Sequence, residues 1–159
     1  CIMRRKDRER SDPVWIDETL RRSDACHLAL LDGGKPYVIP LNFGFERTGD
    51  GTLHLYFHCA KEGKKLELIR QNPLAAFSAD TDHELVTGES GCDWGMNYRS
   101  VAGEGTVIFV TDPAEKKHGL DLLMEHYSGR RDFNYNDHVF AVTEVLRLTV
   151  AACTGKERK

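Results

Sequence analysis

The sequence predicts a mainly β, α+β domain: about six antiparallel strands, with helices before and between them, closing into a small barrel. Three observations carry that expectation. Several segments alternate apolar and polar residues, "PYVIPLNFGF" and "LHLYFH" most clearly. Short glycine-bearing turns, Asp32-Gly33-Gly34 and "RTGDGT", join neighbouring segments as hairpins, so most pairings run antiparallel. Two other segments open with Asp-Pro, a helix cap followed by proline at the first helical position.

In chain order, Asp12-Pro13 starts a helix to about Arg22, with Trp15, Ile16, Thr19 and Leu20 as its inner face. "ACHLALLDGGKPYVIPLNFGF" follows as two strands, then "LHLYFH" as a third. The helix within "FHCAKEGKKLELIRQNP" stops before Pro73, after which "LAAFSAD" resumes the strand pattern. Residues 82–97 read as a polar, glycine-bearing loop. In the long strand "NYRSVAGEGTVIFV", Gly103 and Gly105 suggest a bulge or bend. "TDPAEKKHGLDLLMEHYSG" is the clearest helix: Asp112 and Glu115 resemble a capping box, Pro113 sits at the first turn and Gly129 follows the end. Leu120, Leu123, Met124 and Tyr127 form its core-facing stripe. "HVFAVTEVLRLTVAA" is the last strand. With no repeat and no linker, residues 1–159 read as one domain, with 1–11 a flexible arm and Met3 the expected initiator.

Bulk properties exclude several classes. The chain is 40% hydrophobic and 30% charged, which is globular. A net charge of -3 argues against a nucleic-acid partner bound by overall positive charge, and the basic run "RRKDRER" is broken by Asp7 and Glu9. The 5 cysteines form no CxxC and no signal peptide is visible, which suits the cytoplasm. No apolar run is long enough for a membrane span. Cys26-His27 and His58-Cys59 lack the spacing of a closed zinc site, so no metal is expected. Neither Cys26 nor Cys92 has a visible base partner.

Two features point to a ligand. Along the strand from Tyr37 to Phe45, one face carries Tyr37, Ile39, Leu41, Phe43 and Phe45, while the other carries only Val38, Pro40, Asn42 and Gly44. The small face leaves room beside the backbone. The next strand sets Leu53, Leu55 and Phe57 against His54, Tyr56 and His58, and that second row is either a solvent face or a ligand wall. Just beyond, Lys61, Lys64 and Lys65 crowd a helix N-terminus, whose partial positive charge disfavours cations. They are either solvated surface groups or, with the free N–H groups, the cradle of a phosphate that Gly63 lets approach.

"FHCAKEGKKLELIRQNP" resembles the flavin-binding split β-barrel family that includes pyridoxamine phosphate oxidase. The resemblance implies FMN as cofactor, with FAD as the other candidate, its phosphate held by Lys64 and Lys65 and its ring beside His58 and Cys59. "PYVIPLNFG" is similar to the strand lining the isoalloxazine ring, which implicates Ile39, Pro40, Leu41 and Asn42. "YRSVAGEG" implicates Ser100, flanked by Arg99 and Val101. "MRRKDRE", "PYVIPLNFGF", "LYFHCAKEGKKLELI", "CDWGMNYRSVAGEG" and "DPAEKKHGLDLLMEHY" resemble, in the same order, the 5-nitroimidazole-resistance (NimA-like) branch. That implies a homodimer with flavin at the subunit interface, the segment with Trp94 and Tyr98 approaching the partner's flavin. Nothing in "TVAACTGKERK" resembles the basic and aromatic extension that binds phosphorylated substrate in pyridoxamine phosphate oxidase, so that reaction is not expected.

The function implied is reduction of a small electron-poor substrate, nitroaromatics among them, with His58 as candidate catalytic group: a proton donor, or a structural hydrogen bonder to flavin or backbone. A flavin or haem carrier or sensor, and a structural dimer with a decayed site, are the alternatives.

Overall fold

The computed structural model describes residues 4–159. Met3 and the start of the expected arm lie outside the described residues. The elements are β1 (Glu9–Arg10), α1 (Pro13–Arg22), β2 (Cys26–Asp32), β3 (Lys35–Leu41), β4 (Gly44–Arg47), β5 (Leu53–Ala60), α2 (Lys64–Gln71), β6 (Leu74–Val86), β7 (Gly95–Phe109), α3 (Pro113–Ser128), α4 (Asp137–Val142) and β8 (Thr143–Arg158). Every strand pairing is antiparallel. The sheet runs β3-β2-β6-β7-β8-β5-β4, with β1 added beside β8.

That order forces closure. β3 and β4 are the two ends of the path, yet only Asn42 and Phe43 separate them in sequence. Laid flat, seven strands would hold their outer members about 29 Å apart at ~4.8 Å per spacing. The step from Leu41 to Gly44 spans at most about 11 Å. The sheet therefore curls until its edges meet. No ladder pairs β3 with β4 among the described residues, so the barrel is split along that seam.

The seam is clasped from outside. The Phe43 amide donates to the Tyr127 hydroxyl at 3.1 Å, and that hydroxyl donates to the Asp24 carbonyl at 2.8 Å. The His126 ring lies 4.5 Å from the Phe43 ring, and its Nε2 meets the Ser23 carbonyl at 2.9 Å. Helix α3 thus ties the start of β2 to the link between β3 and β4. Its cap forms as expected at Asp112, which accepts from the Glu115 amide at 2.9 Å, and Gly129 closes it at φ 72°. The Glu115 side chain does not complete a capping box; it pairs with Arg147.

The core has two layers. Leu28, Leu55, Phe57, Leu66, Val101, Leu146 and Leu148 fill the barrel. Leu120, Leu122 and Leu123 of α3 cover Tyr56, Val110 and Val145 outside it. This corrects two expectations. Tyr56, placed in a polar row, is 2% exposed because α3 lies on that side of β5. Gly44, read as part of an open face, is filled by α3: a Cβ there would lie 2.4 Å from the Leu123 nitrogen.

Other differences have local causes. Among the described residues, eight strands replace six because the 37–45 segment breaks at the seam and because Glu9 and Arg10 pair with Lys156 and Gly155. That pairing pins the end of the expected flexible arm. The loop expected over 82–97 shrinks to 87–94, since β6 and β7 extend past a bulge between Thr81 and Glu84. Residues 82–85 are exposed on both faces, so no alternation marks them as strand. The last strand begins only at Thr143; before it, Asn136 caps α4 by accepting from the Val139 amide at 3.2 Å. It then continues through the polar "TGKER" because β7 and β1 flank it there. The expected bulge near Gly105 is present, with the register shifting between Glu104 and Gly105. No helix among the described residues is long and apolar enough to cross a membrane.

Gly44→Ala is expected to destabilise the protein by about 3 kcal/mol, the upper end of typical overpacking costs, because the obstacle is backbone. Chemical denaturation measures it; an unchanged midpoint would show that α3 can shift freely. Acid should weaken the same clasp. A carbonyl only accepts, so His126 Nε2 carries the proton toward Ser23, and its Nδ1 is buried without a partner. Burial lowers the His126 pKa below its ordinary 6.5, against the Ser23 hydrogen bond that raises it. The unfolded chain therefore takes up this proton first as pH falls, and stability present above about pH 6.5 is lost below it. The thermal midpoint should fall from pH 7.5 to 5.5, and fall less in His126→Gln, which keeps a donor for Ser23.

Candidate functional site

The lysine-bearing turn is built around Gly63. Its φ of 135° is open to glycine and strained for other residues. No side chain caps α2, and its first backbone bond runs from the Leu66 amide to the Gly63 carbonyl at 3.0 Å. The Lys64 and Lys65 amides find no acceptor among the described residues. They are the free donors that a helix end offers an anion.

The two lysines differ. Lys64 Nζ lies 2.5 Å from Asp32 in the β2–β3 turn and 5.1 Å over the Tyr37 ring. Both members of that pair are exposed, so the attraction is weak and screened. Lys65 is half-buried and turns toward the end of β5. Burial lowers the His58 pKa and Lys65 lowers it further, so the imidazole is neutral at pH 7. Burial raises the Cys59 pKa, with Lys65 opposing. Lys61 is exposed and forms no ion pair among the described residues.

On β3, Ile39 and Leu41 pack on the barrel core while Pro40 is exposed, in register with His27 and, beyond it, Ser78. Asn42, at the seam, is exposed and shares a cleft with His58. Asn42 and His58 therefore share one cleft, and Lys65 acts on both His58 and Cys59 at the end of β5.

The β7 residues lie elsewhere. Between β3 and β7 stand β2 and β6, three spacings or about 14 Å of sheet. Ser100 is half-exposed and pairs with Asp80; Val101 is buried in the barrel. Arg99 is committed to α1: it stacks 4.2 Å over the Trp15 ring, donates to the Trp15 carbonyl at 3.1 Å and lies 3.7 Å from Glu18. Its buried Nε has no hydrogen-bond partner among the described residues. Trp94 is exposed, its Nε1 donating to the Gly88 carbonyl at 2.9 Å, and Tyr98 lies under the Lys156 ammonium at 5.5 Å. Within one chain, Trp94, Tyr98 and Ser100 do not join the Lys65–His58 cluster.

Of two surfaces beside the cluster, one escaped the sequence reading and the other was read only along β3. One is a cleft of about 550 Å³ between the seam, α3 and α4, with Asn42 and His58 in its wall. Met124 and Tyr127 were expected in the core, and α4 was expected to be strand. The cap at Asn136 was the available signal for α4. The other is the outer face of β3, β2 and β6, where Val38 (57%), Leu31 (44%) and Leu74 (60%) are exposed around Ala29 and Ala76. Large exposed apolar side chains grouped this way mark a contact surface.

The chain matches the family model described as pyridoxamine 5'-phosphate oxidase over residues 14–157. It is similar to a solved structure of a candidate 5-nitroimidazole antibiotic resistance protein from Bacteroides thetaiotaomicron, at 32% identity, covering 94% of this chain and 86% of that one with a TM-score of 0.80. A FAD- and haem-binding protein from Mycobacterium smegmatis shares the fold at 22% identity, covering 96% and 74% with a TM-score of 0.81. So does a flavocytochrome from Azotobacter vinelandii, at 22% identity, covering 99% and 72% with a TM-score of 0.79. A comparison with curated proteins finds no match.

Lys65→Ala is expected to weaken binding of a phosphate monoester about tenfold or more, the loss of one charge-assisted hydrogen bond. Lys64→Ala should cost less, because Asp32 already holds that ammonium, and Asp32→Asn should tighten binding. Fluorescence titration with FMN measures all three; equal and negligible effects would leave the lysines as surface charges.

Proposed function

Because the chain belongs to the pyridoxamine 5'-phosphate oxidase family, we propose that it is a homodimeric, FMN-binding reductase of small electron-poor substrates, nitroaromatics among them. The observation that carries this reading is the uncapped start of α2, where two free amides stand beside Lys65, whose charge acts on His58. One terminal phosphate monoester suits that cradle, which favours FMN; the FAD of the Mycobacterium smegmatis relative makes FAD the alternative. Likeness to the Bacteroides protein supports the nitroaromatic substrate class.

A bound flavin supplies the redox chemistry, and the protein binds and orients it. Lys65 and the α2 amides would hold the phosphate. Backbone and side chains of Ile39, Pro40, Leu41 and Asn42 would flank the ring, with Cys59 at its edge. His58, neutral at pH 7, is poised to donate a hydrogen bond more than a proton. The apolar face of β3, β2 and β6 suits a second copy of the chain, whose Trp94, Tyr98 and Ser100 would complete the site. The cysteine usage and charge balance favour work in the cytoplasm on small molecules, without nucleic acid or membrane as partner.

Purified protein is expected to be yellow, dimeric by light scattering, and to release a cofactor that co-migrates with FMN. After anaerobic reduction, nitroaromatics should reoxidise it faster than buffer alone. Colourless protein that takes up no FMN overturns the flavin reading. Reoxidation that ignores every substrate replaces the reductase with a flavin or haem carrier or sensor.

A further inference from the structure

The cleft between the seam, α3 and α4 has a chemistry of its own. Among the described residues, no Lys, Arg, Asp or Glu lines it. Its tyrosines turn their polar ends away: the Tyr127 hydroxyl is spent on Asp24, and the Tyr135 hydroxyl donates to Asp121 at 2.8 Å. They therefore present rings to the cleft. Leu123, Met124 and Phe140 complete an apolar, partly aromatic wall. The polar groups left over are neutral: the Asn42 and Asn134 amides, which make no side-chain hydrogen bond among the described residues, the NH2 of Asn136, whose Oδ1 accepts from the Val139 amide, and the His58 imidazole.

The outer wall is fastened rather than loose. Lys116 Nζ donates to the Phe140 carbonyl at 2.5 Å and lies 4.5 Å over the Phe140 ring, while Lys117 pairs with Asp121 at 2.6 Å. Lys116 and Lys117 thus already have partners, and they stand outside the lining. At about 550 Å³ the space is mid-range for small-molecule sites of roughly 300–1,000 Å³, ample for more than one ring.

We infer that this cleft is the substrate pocket and that it takes a neutral, flat aromatic molecule of two or more rings, held by stacking and by the Asn42 and Asn134 amides. A phosphorylated or carboxylated ring finds no cation inside it and would be desolvated without compensation. This deepens the reading above and rests on it in one respect: Asn42 and His58, shared by both, are where such a ligand would meet the flavin.

The test uses 1-nitronaphthalene and 1-naphthyl phosphate, one ring system with and without a dianion. Calorimetry follows both on FMN-loaded protein and on protein stripped of FMN. Neutral probe should bind at least tenfold tighter than phosphate in both preparations. Val139→Arg, at the exposed mouth, and Met124→Trp, in the wall, should each weaken the neutral probe at least tenfold and leave FMN retention unchanged. Equal affinity for the two probes, or a neutral probe indifferent to both substitutions, overturns the assignment. Failure of FMN to bind would instead strike the flavin reading, because the stripped protein reports on the cleft alone.

Discussion

The whole arrangement depends on two residues, Asn42 and Phe43, that join opposite edges of the sheet. Their shortness makes the barrel obligatory, and they cannot be paired on both sides as a strand would be. Phe43 therefore needs an acceptor for its amide, and Tyr127 supplies one. Tyr127 in turn fixes where α3 lies, and α3 decides which parts of the outer surface are core and which stay open. Asn42 is exposed for the same reason that Phe43 is buried: at the seam the chain changes sides.

Electrostatics at the start of α2 follow a similar logic of incomplete satisfaction. A helix end with no cap, two free amides and a half-buried lysine is costly unless an anion meets it. Part of that cost is met internally, by Asp32 reaching Lys64. Lys65 has no carboxylate partner among the described residues, and its field falls on His58 and Cys59. The asymmetry separates a lysine that shapes the rim from one that faces the ligand.

Legibility in the sequence tracked how strongly one face of an element was buried. The Asp-Pro caps and the Gly33-Gly34 turn are local signals, and α1, α3 and the β2–β3 hairpin form where those signals stand. The Lys64–Lys65 turn was legible because its charges sit where an isolated helix end would reject them. Residues 82–85 were not, since strand residues exposed on both faces carry no alternation. Tyr56 and Gly44 misled because a helix distant in sequence covers them. Arg99 was read from the "YRSVAGEG" resemblance, yet its side chain answers to Trp15, a contact no local pattern encodes.

Tyr127 serves two masters. Its hydroxyl closes the barrel while its ring walls the cleft. Change at this position carries a structural penalty before it can alter what the cleft accepts. Val139 and Phe140, on the short helix opposite, carry no such duty to the seam. Divergence among relatives in ligand choice should therefore accumulate on α4, with the α3 wall held constant by folding. One side of the pocket is free to evolve, and the other is fixed by the closure of the barrel.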